Sequence, residues 1–176
     1  PMSARFGDST RSVKAVSAQA VPGHPVAPPA VLAATFHLSD DDAADLDAYG
    51  RSSNPTWRQL ESALAELEAA AGALVFSSGM AAISAALCAL TKPGSVLVLP
   101  ADGYYQVRRY AAECLVPVGV TVEEVSSAQI CDAAAGADVV LAETPTNPGL
   151  DVVDLQQLAR ACHRRGARLI GDNTTA

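Results

Sequence analysis

The sequence predicts an α/β protein in which helices cover both faces of a mainly parallel sheet. Three observations carry that prediction. Short continuous runs rich in Val and Leu, such as "SVLVLP" and "ADVVLAET", lack the polar alternation of a half-solvated strand. Segments of helical character separate those runs, as crossovers between parallel strands require. Gly, Pro and Asn punctuate the junctions.

Taken in order, residues 1 to about 48 stand apart from the rest. Pro22, Pro25, Pro28 and Pro29 break any helix, and Asp40, Asp41, Asp42, Asp45 and Asp47 form an acidic, solvated cluster. That composition predicts an extended arm, with "AVLAATFHL" apolar enough to pack on another subunit. Residues 49–176 form the second region. It opens with a helix: Asn54 is a good N-cap, Pro55 suits the first helical position, and Gly72 suits the stop. Trp57, Leu60, Leu64 and Leu67 give that helix one apolar face. Alternation follows, with "ALVFS" a short buried strand, "GMAAISAALCAL" a helix, "SVLVLP" a strand and "YQVRRYAAECL" a helix. "VTVEEV" is the next strand, "AQICDAAAG" a helix, "ADVVLAET" a strand, "DLQQLARACHRRG" a helix and "ARLIGD" the last strand.

The chain has 176 residues, 49% of them hydrophobic and 18% charged, which is the composition of a globular protein. A net charge of −7 leaves no basic patch to displace counterions, so a nucleic-acid partner is disfavoured. No apolar run approaches the roughly 20 residues that cross a bilayer, and no signal peptide is visible. Pro1 before Met2 reads as a scar of tag removal. Cys88, Cys114, Cys131 and Cys162 form no CxxC pair. They read as small buried hydrophobes on helices rather than a metal or disulfide set, which predicts a reducing, cytoplasmic setting.

In a sheet of this kind ligands bind beyond the carboxyl ends of the strands. The residues to weigh are therefore Ser77-Ser78-Gly79-Met80, Asp102-Gly103-Tyr104, Glu143 to Asn147, and Asp172. The turn "SSGM" feeds a helix whose first backbone N–H groups, those of Gly79 and Met80, suit a phosphate. A common Ser-Gly N-cap is the plain alternative. The segment has neither the GxGxxG of a dinucleotide site nor the lysine of a P-loop. "ETPTNPGLDVVDL" holds Asn147 between two prolines in a rigid loop, suited either to a ligand oxygen or to capping the next segment. A turn this constrained makes Thr144-Pro145 and Asn147-Pro148 candidates for cis bonds. Tyr49 and Arg51 offer a phenol and a guanidinium that can hold a phosphate together.

Together "ATFHL", "YGRSSNPTWRQLE", "VFSSGMAAISAAL", "DGYY", "ETPTNPGLDVVDL" and "GDNTTA" resemble the Cys/Met-metabolism family of pyridoxal-phosphate enzymes, in the family's order, from about Ala34 onward. The resemblance implies the three-layer, fold type I architecture of aspartate aminotransferase, in truncated form. It implies a chain most similar to a cystathionine γ-lyase or γ-synthase, acting on an amino-acid substrate by elimination or replacement at the β or γ carbon. The implied cofactor is pyridoxal 5'-phosphate. Tyr49 and Arg51 match the pair that reaches the phosphate of a neighbouring subunit, and Ser78, Gly79 and Met80 match the phosphate turn. Tyr104 matches the tyrosine that stacks on the ring and takes part in proton transfer. The family's "YGGT" is "YYQV" here, which makes Tyr105 a rival. Asn147 matches the asparagine near the phenolic oxygen, and Asp172 the aspartate paired with the pyridine nitrogen.

The resemblance places the Schiff-base lysine beyond Ala176. Lys14 and Lys92, the two lysines of the sequence, do not stand where it belongs. It therefore implies about half of an active site, inactive by itself, in a homo-oligomer (a dimer of dimers) or beside a complementing C-terminal chain. A non-catalytic or split-enzyme subunit is the alternative.

Overall fold

The computed structural model describes residues 7–15, 21–38 and 47–176, so Asp40, Asp41, Asp42 and Asp45 lie outside the described residues. The chain divides into two compact units, Pro1–Val75 and Phe76–Ala176.

Among the described residues of the first unit the helices are α1 (Asp8–Lys14) and α2 (Pro55–Leu67). Arg11 donates to the carbonyls of Glu66 and Leu67, placing a cation at the C-terminus of α2. Asn54 caps α2 as its sequence predicts, accepting from Thr56 N at 2.9 Å. The same buried side chain donates through Nδ2 to the carbonyls of Val31 (3.1 Å) and Ala33 (3.4 Å), while Thr56 Oγ1 accepts from Val31 N. One asparagine thus ties residues 31–33 to the start of the helix. Gly50 N donates to Ala34 O at 2.7 Å, and a Cβ there would lie a tight 3.0 Å from Ala33 O, so the close approach favours glycine.

One expectation for this stretch fails. Helix α2 stops at Leu67 rather than near Gly72, because Ala69 takes a left-handed φ of 51° and Ala70 N turns back to Ala65 O. The apolar face forms as expected, and Trp57, Leu60 and Leu64 on it are partly exposed.

The second unit is the predicted α/β layer structure. Its elements are α3 (Gly79–Leu90), β1 (Val96–Pro100), α4 (Tyr105–Tyr110), β2 (Thr121–Val125), α5 (Ile130–Ala133), β3 (Val139–Glu143), α6 (Leu155–Arg165) and β4 (Arg168–Asp172). Every pairing is parallel, in the order β2-β1-β3-β4. Alternate residues serve opposite faces, as a strand period of two demands. Leu97, Leu99, Val139 and Leu141 pack with Leu87 of α3 and Val107 of α4. Val98, Val140 and Ala142 pack with Ile130 of α5 and with Leu158 and Cys162 of α6. Strand β3 is buried at all five positions, which explains its unbroken apolar run.

Helices α3 and α6 are capped locally. Ser78 accepts from Ala81 N, Asp154 accepts from Gln157 N, and Gly166 ends α6 at φ 75°. Four expectations are corrected. "ALVFS" is not a strand: it pairs with no strand among the described residues, and Leu74 and Phe76 are exposed. The helix from Tyr105 widens into a π-turn at Ala111–Leu115, since Pro117 has no N–H with which to continue the α ladder. Residues 127–136 form a four-residue α-helix flanked by 3-10 turns, too short a segment for α propagation. Finally, of the four unpaired cysteines only Cys162 is buried, while Cys88 and Cys114 are exposed. The Cys88 sulfur lies 3.0 Å from Tyr110 Oη, and that contact, with burial, pushes the phenol up to about 12.

No helix among the described residues is long and apolar enough to cross a membrane.

Candidate functional site

Chain order and sheet order diverge at β1, which has β2 on one side and β3 on the other. The carboxyl ends of β1 and β3 therefore form a topological switch point, where crevices open in parallel sheets. A crevice of about 420 Å³ lies there, lined by Ser78, Gly79, Met80, Ile83, Tyr104, Glu143, Asn147, Asp172, Thr174 and Thr175. Six of the eight residues singled out in the sequence line it. Tyr49 and Arg51 belong to the first unit, where the Arg51 guanidinium carbon stands 4.9 Å from the centre of the Tyr49 ring. Tyr49 also bridges Thr35 in antiparallel fashion.

Each lining residue has a local cause. The twelve residues of α3 begin at Gly79, so the N–H groups of Gly79 and Met80 have no acceptor within the helix. Ser78 Oγ accepts from Ala81 N at 3.1 Å, leaving its hydroxyl proton free to donate. Tyr104 sits directly before α4 and lines the crevice. Its rival Tyr105 does not line it, and the two rings meet edge to face at 5.3 Å.

The loop carrying Tyr104 is fixed from several sides. Asp102 accepts from Ser127 Oγ (2.7 Å) and Ser127 N (3.1 Å), linking the loops after β1 and β2. Burial acts to raise this carboxyl. The Ser127 hydroxyl and amide, with help from Arg108, outweigh it and hold the group below the ordinary carboxylate range. Arg108 also donates to Gly103 O at 2.7 Å.

At the end of β3, Glu143 is 4% exposed. Its Oε2 accepts from Tyr104 N at 2.5 Å and its Oε1 from Asn147 N at 2.7 Å. Both Thr144-Pro145 and Asn147-Pro148 are cis, as the sequence led us to expect. No hydrogen bond falls on the side-chain amide of Asn147 among the described residues, so it is available to a ligand. At the end of β4, Asp172 Oδ1 accepts from Thr174 N (3.0 Å) and Thr174 Oγ1 (2.6 Å). Its Oδ2 has no partner among the described residues. Thr175 Oγ1 donates to Pro145 O at 2.7 Å, tying this turn to the loop after β3.

Sequence reasoning weighed Glu143 without giving it a role, and it missed Ile83, Thr174 and Thr175 as lining residues. The signal for Glu143 was present as a carboxylate closing a wholly apolar strand. No group of three or more His, Cys, Asp or Glu able to hold a metal lies among the described residues.

Fold and crevice define an α/β protein of the class that binds ligands at the carboxyl ends of parallel strands. The chain belongs to the Cys/Met metabolism PLP-dependent enzyme family, which it matches over residues 9–176. A putative cystathionine γ-lyase from Streptomyces coelicolor is 44% identical over 177 residues, covering 97% of this chain and 44% of that relative. The crystal structure of metB from Corynebacterium glutamicum superposes with a TM-score of 0.85 at 30% identity, over 97% of this chain and 46% of that one. Cystathionine γ-synthase from Xanthomonas oryzae pv. oryzae, solved in complex with cystathionine, gives 0.84 at 33% identity, over 96% of this chain and 44% of that one. The chain spans a little under half the length of these relatives.

Proposed function

We propose that these residues form the N-terminal part of the pyridoxal-phosphate site of an enzyme of sulfur amino-acid metabolism. Its type is that of cystathionine γ-lyase or γ-synthase, acting by elimination or replacement at the β or γ carbon. The observation that carries this reading is Asp172: one carboxylate oxygen is locked by Thr174 and the other is open at the crevice. A pyridinium N–H is the group such an oxygen suits. The remaining lining fits the same ligand. The α3 N-terminus and the Ser78 hydroxyl receive a phosphate, Tyr104 offers an aromatic face to the ring, and Asn147 offers an amide to a ring or carboxylate oxygen. When bound, the cofactor supplies the electron sink for the substrate carbanion. Asp172 keeps a proton on the ring nitrogen, and Tyr104 is placed to hold or pass one at the substrate.

Residues 1–48 are proposed as an arm and 49–176 as part of the large cofactor-binding domain, with Tyr49 and Arg51 serving the phosphate of a neighbouring subunit in a homo-oligomer. The four unpaired cysteines support a cytoplasmic setting.

The Schiff-base lysine is proposed to come from sequence outside these 176 residues. Lys92 lies in the turn before β1. It is at the amino edge of the sheet, separated from the crevice by a five-residue strand of roughly 16 Å at about 3.3 Å per residue. The test is borohydride reduction of the full-length protein with pyridoxal phosphate, followed by mapping of the pyridoxylated lysine. Turnover is then compared on L-cystathionine alone and on cysteine with a γ-activated amino acid. Labelling outside these residues together with turnover of a sulfur amino acid is expected. Labelling of Lys14 or Lys92, or no cofactor binding, overturns the reading.

A further inference from the structure

We propose that Glu143 is a positioning residue, a buried carboxylate that sets the Tyr104 ring and the Asn147 amide at their mutual spacing for the cofactor. The inference rests on the cofactor reading above.

A carboxylate 4% exposed is costly unless its oxygens are hydrogen-bonded. Here each oxygen takes one backbone N–H, and the two N–H groups belong to the two residues whose side chains face the crevice. Those residues come from different loops, one after β1 and one after β3, that meet at the switch point. Nothing in the sheet ladder fixes the distance between them, because the β1–β3 pairing reaches only Leu97↔Val139 and Val98↔Val140. Glu143 closes that gap with two short, charge-assisted bonds.

The surroundings are built to admit it. A Cβ on buried Gly103 would stand 2.6 Å from Glu143 Oε2 and 2.8 Å from Pro100 Cγ, so glycine leaves the room the carboxylate needs. Glutamine has nearly the same shape but only one acceptor oxygen, so in Glu143→Gln one of the two N–H groups must face an NH₂ donor.

The phosphate subsite does not share this dependence. Gly79 and Met80 are set by the start of α3, and the hydrogen bonds of Glu143 go to Tyr104 and Asn147 instead. Loss of Glu143 is therefore expected to separate ring binding from phosphate binding. A general structural defect would weaken both.

Pyridoxal phosphate and inorganic phosphate are titrated into the full-length apoprotein, wild type and Glu143→Gln, with hydrogen exchange read at the Tyr104 and Asn147 amides. The variant is expected to bind pyridoxal phosphate about 10-fold or more weakly, the low end for a hydrogen bond to a charged group. Inorganic phosphate should stay within about twofold, since its subsite is untouched. Exchange should quicken at one or both amides. Gly103→Ala, which displaces Oε2 without removing the carboxylate, should shift pyridoxal phosphate binding in the same direction and serves if Glu143→Gln fails to fold. Equal weakening of both ligands in the variants, or unchanged pyridoxal phosphate binding, overturns the positioning role and leaves the cofactor reading intact. A wild type that binds no pyridoxal phosphate overturns both.

Discussion

The ends of β3 and β4 carry carboxylates at paired register positions, Glu143↔Asp172, yet the two are opposites. Glu143 is buried, and both oxygens are committed to backbone amides of its own protein. Asp172 is half-buried, with one oxygen committed to Thr174 and the other open. Neighbouring strand ends thus divide the work: one carboxylate builds the crevice and the other is left for what enters it. Strand position alone does not tell a ligand-binding acid from a structural one. The number of lone pairs the protein leaves unused does.

The sharpest way to break this contrast is to remove each carboxylate in turn. Asp172→Asn keeps an acceptor for Thr174, so stability should move little. Turnover of the full-length enzyme should fall about 10²–10³-fold, the scale for losing one electrostatic stabiliser in an active site. Glu143→Ala should show the reverse emphasis in chemical denaturation, losing about 1–3 kcal/mol for each amide left without an acceptor. Equal stability losses in the two variants would erase the distinction.

Asp102, at the end of β1, extends the comparison to pH. Its carboxyl is held below its ordinary value, so its contribution to stability is present above an unfolded pKa of about 3.9 and is lost as pH falls through the folded value. Asp102→Asn should therefore be less stable than wild type at neutral pH, and the gap should narrow as pH falls below the unfolded value of about 3.9. A gap of constant size would place Asp102 outside the structural class. The smallest effect belongs to Thr174→Val. It removes the 2.6 Å hydroxyl bond to Asp172 but keeps the amide bond, at a net cost of about 1 kcal/mol or less for an exposed pair.

What the sequence disclosed follows the same line. Strands β1 and β3 were legible because burial on both faces imposes a continuous apolar run, and α3 because a Ser-Gly turn announces its start. "ALVFS" misled because an apolar run says nothing about whether a ladder partner exists. Tyr104, Asn147 and Asp172 were legible because parallel strands fix where their ends converge, and Ser78, Gly79 and Met80 because a Ser-Gly turn opens a helix. The bonding of Glu143 was not, since one of the two backbone N–H groups it accepts belongs to Tyr104, 39 residues earlier in the chain.

The Asn54 clamp has a consequence for chemical ageing. Asparagine is lost most readily when the backbone nitrogen of the next residue attacks the side-chain amide, closing a cyclic imide that opens to aspartate. Proline has no N–H for that attack, and Asn54 is followed by Pro55, as Asn147 is by Pro148. At Asn54 the exchange of amide for carboxylate would delete both Nδ2 donors and set a negative charge against the carbonyls of Val31 and Ala33. Asn54, which holds residues 31–33, and Asn147, which lines the crevice, are thereby both shielded from the commonest route of decay. Asn173, followed by Thr174, has no such protection.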